Sequence, residues 1–233
     1  MNTAYTIFEC KHTDKSKTSD ASYPWEKLGE IIFFPENHTF IEVDQLVEYC
    51  YYVKKGRVVS YHIFPNGEER IFELHDAGEL FLENSLLFAA RSPVSYKTTC
   101  ATELIRINKC RIKREIKENP VFALSVINQT SYKYQSSMER LKNTTTQNVH
   151  WKICDFFLVF AKKYGIPYKG KILIQEKISQ QFISNYIGIN RITVVRIVKE
   201  LKNEGLVEKL GRFYYICDVD SLKQYQQMID KNV

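Results

Sequence analysis

The sequence predicts an α+β chain: a small antiparallel β-barrel or sandwich, then a long helix, then a basic C-terminal domain of short helices closed by a hairpin. Three observations predict it. Short runs rich in Val, Ile, Tyr and Phe lie between Ile31 and Ile107, with Gly56, Gly67 and Gly78 between them at intervals of eleven residues. An apolar stripe of helical period follows Asn119-Pro120, and two short helical patterns flank Ile187-Gly188-Ile189-Asn190. The 233 residues, 44% hydrophobic and 26% charged, suffice for one ordinary core or two small ones, which excludes a disordered or collagenous chain. No window approaches the roughly 18 to 20 apolar residues that span a bilayer, and Met1 to Cys10 lacks the basic-then-apolar order of a secretion signal. A cytoplasmic location without a membrane partner is expected.

Residues 9 to 24 are polar and without period, and read as a loose arm. The barrel follows, with strands expected at Val47 to Val53, Val58 to Phe64, Arg70 to Leu74 and Lys97 to Ile107, and a tight hairpin at Pro65-Asn66-Gly67. A barrel of this size has room inside for one small ligand. The six cysteines form no Cys-x-x-Cys pair, so no metal site or cluster is expected. Cys50, Cys100 and Cys217 sit in apolar runs and read as buried hydrophobes; Cys10, on the arm, is the only cysteine expected to be exposed. His62, His75 and Glu73 carry no paired spacing and read as ordinary sheet surface, against the alternative of a cupin-like metal enzyme.

Leu124, Ile127, Ser131, Tyr134, Met138 and Leu141 recur at helical spacing, with Ile127, Tyr134 and Leu141 seven residues apart. This stripe reads as a dimer seam, the alternative being a helix packed on its own barrel. Asn143 to Thr146 has poor helix propensity and is expected to break the helix. The domains are accordingly 1–120, 121–147 and 148–233. Residues 1 to 147 hold 19 Lys and Arg against 19 Asp and Glu, whereas 148 to 233 hold 14 against 8, so all the excess positive charge lies in the last domain. Such a segment attracts a polyanion.

That domain opens with a helix bearing Ile153, Phe156, Phe157 and Phe160 on one face and stopping at Gly165-Ile166-Pro167. Ser179 is an N-cap for a helix with Phe182, Ile183 and Tyr186 on one side, Gly188 permits a sharp turn, and Asn190 can cap the next helix. Two short helices joined in this way are a helix-turn-helix. In the second helix Val194, Ile197, Val198 and Leu201 face the core, which leaves Arg191, Ile192, Val195, Arg196 and Lys199 outside. Exposed β-branched residues among cations suit a groove with phosphates at its walls and thymine methyls on its floor; a solvated face with two stray aliphatics is the bland alternative. Glu204-Gly205 ends the helix, and Leu206 to Ile216 forms a hairpin with Lys209 and Arg212 near its tip, read as a wing on the DNA backbone or else as a cover for the core.

With these elements in order, the chain resembles the Crp/Fnr family of bacterial transcription regulators over roughly residues 28 to 218. The segment from Ile187 to Leu206 looks like that family's recognition segment, with Arg191, Thr193 and Arg196 at its contact positions. The resemblance implies an N-terminal β-roll (a double-stranded β-helix of the cyclic-nucleotide-binding kind), a long dimerisation helix and a C-terminal winged helix-turn-helix. It implies DNA contacts from Ser179, Gln180, Asn190, Arg191, Ile192, Thr193, Val195, Arg196, Lys199, Lys209 and Arg212. Ile192 stands where the family often has a Glu that accepts from a cytosine amino group; Ile instead suits a thymine methyl and an A·T-leaning half-site.

Gly78-Glu-Leu-Phe-Leu-Glu-Asn-Ser resembles the family's ligand cassette, with Glu83 at the Glu position but Leu82 replacing a Gly, and with Arg91-Ser92 one or two residues out of register. The effector set implied is Leu82, Glu83, Asn84, Ser85, Arg91 and Ser92, with Tyr134, Ser137 and Met138 reaching in from the long helix. These departures argue against cyclic AMP and leave an unidentified small effector. The resemblance further implies a homodimer, double-stranded DNA and RNA polymerase as partners, an activator by family habit, no catalytic role, and a swing of the DNA-binding domains about Asn143 to Thr146. An effector-free thiol switch is the rival reading.

Overall fold

The computed structural model describes residues 23–230. The described chain divides into two compact units, one holding the residues up to Ile63 together with Ile71–Tyr134, the other Phe64–Arg70 and the chain from Gln135 onward.

The first unit begins with a single turn of 3-10 helix at Trp25–Lys27, where Trp25 stacks on Tyr52 with ring centroids 4.2 Å apart. Strands β1 (Glu30–Phe34), β2 (Thr39–Ile41), β3 (Tyr49–Lys55), β4 (Arg57–Ile63), β5 (Glu69–Asp76) and β6 (Leu80–Phe81) lead to a short helix α1 (Glu83–Phe88), and β7 (Ser95–Thr98) and β8 (Thr102–Asn108) complete the roll. They form two four-stranded sheets, ordered β1-β8-β3-β6 and β2-β7-β4-β5. The expected run Lys97 to Ile107 is therefore two strands. Ser95–Thr98 pairs in one sheet and Thr102–Asn108 in the other, and the chain changes sheets at Thr99–Ala101, where Thr102 Oγ1 donates to the Arg57 carbonyl.

Cys50, Val53, Leu80, Phe81, Leu104, Ile105 and Ile107 are buried in one core cluster of the roll, which Ile112 of the following helix and Phe122 also join. Contrary to the expectation of a surface residue, His75 is buried and lies flat against Phe81 at 4.8 Å. It is the inward position of its strand that puts it there. Cys50 is buried as expected, Cys100 and Cys217 are only half-buried, and Cys110 is exposed, so Cys10 is not the sole accessible thiol; Cys10 itself lies outside the described residues. Cys110 is exposed because the helix that carries it, α2 (Lys109–Glu118), turns Ile112 inward instead.

Helix α3 (Pro120–Thr146) begins on a proline, which needs no N–H partner in the first turn, and Asn119 Oδ1 accepts from the Phe122 N–H. Phe122, Ser125 and Val126 are buried on one side. The expected break at Asn143 to Thr146 does not occur. The Thr145 and Thr146 hydroxyls donate to carbonyls of the preceding turn, at Leu141 and Lys142, and so cost the helix no backbone bond; the chain leaves it at Gln147.

In the second unit Asn148 caps α4 (Val149–Tyr164), whose Ile153, Phe156, Phe157 and Phe160 are all buried. Gly165 then opens a strand instead of a loop: β9 (Gly165–Tyr168) and β10 (Lys171–Ile174) precede α5 (Gln180–Ile187), α6 (Arg191–Asn203), β11 (Val207–Leu210), β12 (Phe213–Ile216) and α7 (Val219–Asp230). The four strands form one sheet, ordered β11-β12-β10-β9.

Gly56 links β3 to β4 at φ +91°, and a Cβ there would lie 2.5 Å from Thr102 Oγ1 and 2.8 Å from the Ala101 carbonyl oxygen. Gly56→Ala is expected to lower the stability of the roll by about 2 kcal/mol, read as a fall in the urea midpoint; an unchanged midpoint would contradict the tight turn.

Candidate nucleic-acid interface

The interface is assembled by caps and one left-handed residue. Ser179 Oγ accepts from the Phe182 N–H at 3.0 Å and starts α5. Gly188 ends it at φ 85°, ψ 37°, a conformation that a side chain disfavours. The Ser184 hydroxyl then donates to the Ile189 carbonyl at 2.6 Å, pinning the turn, and Asn190 Oδ1 accepts from the Ile192 N–H at 2.7 Å to begin α6. These bonds satisfy some of the backbone groups left unpaired where α5 ends and α6 begins.

Val194, Ile197, Val198 and Leu201 are buried, at 1% exposure or less, and this stripe sets the rotation of α6 about its axis. Arg191, Ile192, Val195, Arg196 and Lys199 consequently face outward, with Ile192 79% exposed, and Thr193 lies at the margin, half-buried. Arg196 Nη1 donates to Glu200 Oε1 at 2.8 Å, and Glu200 Oε2 meets His150 Nε2 at 2.9 Å. The His150 hydrogen bond, followed by the charge of Arg196, holds the Glu200 carboxyl below its ordinary range. Ser179 and Asn190 are exposed, and Gln180 is half-buried.

Beside α6, the β11–β12 hairpin pairs Leu210 with Phe213 across a two-residue tip, Gly211-Arg212, with Gly211 at φ 63°. The Ile178 N–H donates to the Arg212 carbonyl, tying the tip to the segment before α5. Arg212 is exposed, and the ammonium of the exposed Lys209 lies 5.1 Å from the centre of the Tyr214 ring. Leu210, which the sequence places in the turn, instead ends β11 opposite Phe213 and is 68% exposed beside the tip.

In the first unit, Leu82, at the position where the resemblance places a glycine, is buried and adopts the left-handed φ 62°, ψ 8°. Such a residue costs on the order of 1 kcal/mol or more. Glu83 is buried and already partnered: Lys133 Nζ of α3 donates to its Oε1 at 2.7 Å and also to the Leu80 carbonyl, and Thr130 Oγ1 donates to the same oxygen at 3.4 Å. Gln129 Oε1 accepts from the Leu80 N–H at 2.9 Å. Arg91, exposed, donates to the Asp44 carbonyl; Ser92 is fully buried and donates to the Val94 carbonyl. Asn84, Tyr134, Ser137 and Met138 are exposed, and Ser85 is half-buried. Within the expected effector set, Glu83 is thus already engaged, and Leu82 and Ser92 are buried. The set's acidic member is held by Lys133, a residue that spacing alone did not single out.

A model described as a Crp-like helix-turn-helix domain matches residues 152–225, and one described as a cyclic nucleotide-binding domain matches residues 31–119. The chain belongs to the Crp/Fnr family. The global nitrogen regulator of Nostoc sp. is 24% identical over 176 residues, covering 75% of this chain and 79% of that protein. The cAMP-activated global transcriptional regulator CRP of Haemophilus influenzae is 28% identical over 183 residues, covering 77% and 80%. Among solved structures, a Crp/Fnr-family transcriptional regulator of Thermus thermophilus superposes with TM-score 0.72 at 17% identity, covering 85% of this chain and 98% of that one. A CooA mutant from Carboxydothermus hydrogenoformans does so with TM-score 0.78 at 15% identity, covering 93% and 98%. These two show the fold. The chain is a DNA-binding transcription regulator of Crp/Fnr type.

Within this Crp/Fnr regulator the Glu83–Lys133 pair makes a stability prediction. Lys133→Met leaves a buried carboxylate without its cation and is expected to cost about 3 kcal/mol. Replacing both partners, Glu83→Leu with Lys133→Met, should recover most of the loss. Chemical unfolding followed by circular dichroism checks this, and a double variant no better than the single would contradict the pairing.

Proposed function

We propose that this regulator is a homodimer in which a small effector, bound by the β-roll, orients two winged helix-turn-helix domains onto a pseudo-palindromic, A·T-leaning operator. The observation that carries the reading is the outward face of α6. An isoleucine and a valine stand exposed between arginines on a helix whose opposite side is fully buried. Arg191, Thr193 and Arg196 contact bases or flanking phosphates, Ile192 and Val195 meet thymine methyls, and Lys199, Lys209 and Arg212 hold the backbone, with Ser179, Gln180 and Asn190 at the helix starts beside it. The domains of the reading are 1–120, 121–147 and 148–233, and its setting is the cytoplasm.

Dimerisation runs along α3. Leu124, Ile127, Tyr134, Met138 and Leu141 are 44% to 65% exposed, with Ser131 in the same row, an apolar face that a second copy of the helix would cover. Two recognition helices then enter successive major grooves, so half-sites lie about 34 Å apart. The effector works by binding better to the orientation with that spacing.

Cyclic AMP is not the effector of this reading, although one relative is named for its activation by it. The buried Leu82, the Lys133 partner of Glu83 and the engagement of Arg91 with a backbone carbonyl all weigh against a cyclic phosphate. Recruitment of RNA polymerase and the role of activator follow the family. The thiol-switch alternative has two candidate cysteines, Cys10 and Cys110; Cys50 and Cys154 are buried, and that burial pushes their thiols up, which disfavours the reactive thiolate.

Selection of bound duplexes from a random pool, with and without cell extract, tests the reading. Ile192→Glu should move preference from T·A toward C·G at one position per half-site, and an unchanged selected sequence would refute that contact. Lys209→Ala should weaken binding to all duplexes alike and lower the salt slope by about one; a sequence-selective loss would instead place Lys209 on a base.

A further inference from the structure

Arg196 is held on one side by a carboxylate that is itself held from another helix. Glu200 lies one turn further along α6, and its Oε1 accepts from Arg196 Nη1 at 2.8 Å. Its other oxygen, Oε2, is 2.9 Å from Nε2 of His150, in the first turn of α4. The carboxylate therefore has two anchors on two elements, which restricts its freedom to follow Arg196 between rotamers.

The arrangement is poorly explained as a stabiliser. The side chains of Arg196, Glu200 and His150 are 59%, 39% and 32% exposed, and pairs so exposed contribute at most about 1 kcal/mol. A negative charge on a DNA-facing helix also opposes phosphate binding. What the contact does accomplish is geometric. It occupies Nη1 and leaves the Nε–Nη2 edge of the guanidinium, two parallel N–H groups, directed away from Glu200. That edge matches a guanine O6 and N7, a contact that requires the fork in one plane. A free arginine loses about 2 kcal/mol of rotamer freedom when it is fixed, and holding it beforehand removes part of that loss.

We infer that Glu200, anchored by His150, is a positioning residue for Arg196 that sets sequence discrimination, and not overall affinity, at the base pair Arg196 reads. The inference rests on the reading above that Arg196 lies on the DNA, and takes its partner there to be a base and not a flanking phosphate. The residues act as one unit: His150 fixes Glu200, and Glu200 fixes the arginine fork.

The test measures binding of the full chain to the selected operator, to the operator changed at each base pair in turn, and to unrelated duplex. Arg196→Ala should abolish discrimination at one position per half-site. Glu200→Ala should reduce discrimination at that same position roughly tenfold while binding to unrelated duplex stays equal or rises. His150→Gln should give a smaller loss at the same position, and it should add nothing in the Glu200→Ala background. The unfolding midpoints of the variants control for folding, and Glu200→Gln, which keeps one acceptor, should recover part of the discrimination. If Arg196→Ala abolishes discrimination but Glu200→Ala strengthens binding to every duplex by the same factor, Glu200 is only a charge and the positioning role is wrong. If Arg196→Ala itself leaves every base preference intact, the base contact is wrong and the positioning role falls with it.

Discussion

The burial of one stripe, Val194, Ile197, Val198 and Leu201, decides what the C-terminal unit presents to its surroundings. An α-helix has one rotational freedom when it packs, and four apolar residues at spacings of three and four remove it. Everything on the opposite face follows. Ile192, Val195 and Arg196 become surface because their neighbours became core. The caps at Ser179 and Asn190 and the left-handed Gly188 fix where α6 begins, so both the rotation and the start of this helix are set by local chemistry.

The N-terminal unit is built under a different constraint, the satisfaction of charge inside a small roll. Arg57 and Asp76 form a buried pair, and Glu83 is enclosed by Lys133 and Thr130 from α3. A buried carboxylate must be neutralised by something, whether a ligand, a proton or a lysine. In this chain the lysine comes from the same helix whose other face carries the apolar stripe of Leu124, Ile127 and Tyr134. A change at the cassette and a change along α3 therefore share one buried pair.

Much of this was legible in the sequence because it depends on short-range pattern. The helix-turn-helix was readable from Ser179, Gly188 and Asn190 and from the period of the apolar residues, and the stripe on α3 from its seven-residue spacing. What was not legible depends on contacts distant in sequence. Lys133 looks like a solvated helix residue until Glu83, fifty positions earlier, is found beneath it. His75 looks like sheet surface until Phe81 and Tyr96 are stacked around it. The expected break at Asn143 to Thr146 did not occur because the backbone ladder runs through it, as far as the Gln147 N–H donating to the Asn143 carbonyl, and the threonine hydroxyls bond back to the preceding turn without interrupting it. The strands β9 and β10 were hidden because Gly165 and Pro167 read as a stop, when they stop only the helix.

The most direct test of the outward α6 face is to replace, one at a time, each thymine of a selected operator by deoxyuridine, which removes the methyl group and leaves every hydrogen bond of the base pair in place. The account predicts a loss of about 0.8 kcal/mol, close to fourfold in affinity, at one or two thymines per half-site in the wild-type chain, and no loss at those positions in Ile192→Ala or Val195→Ala. Equal affinity for every substituted duplex, in wild type and variants alike, would contradict it.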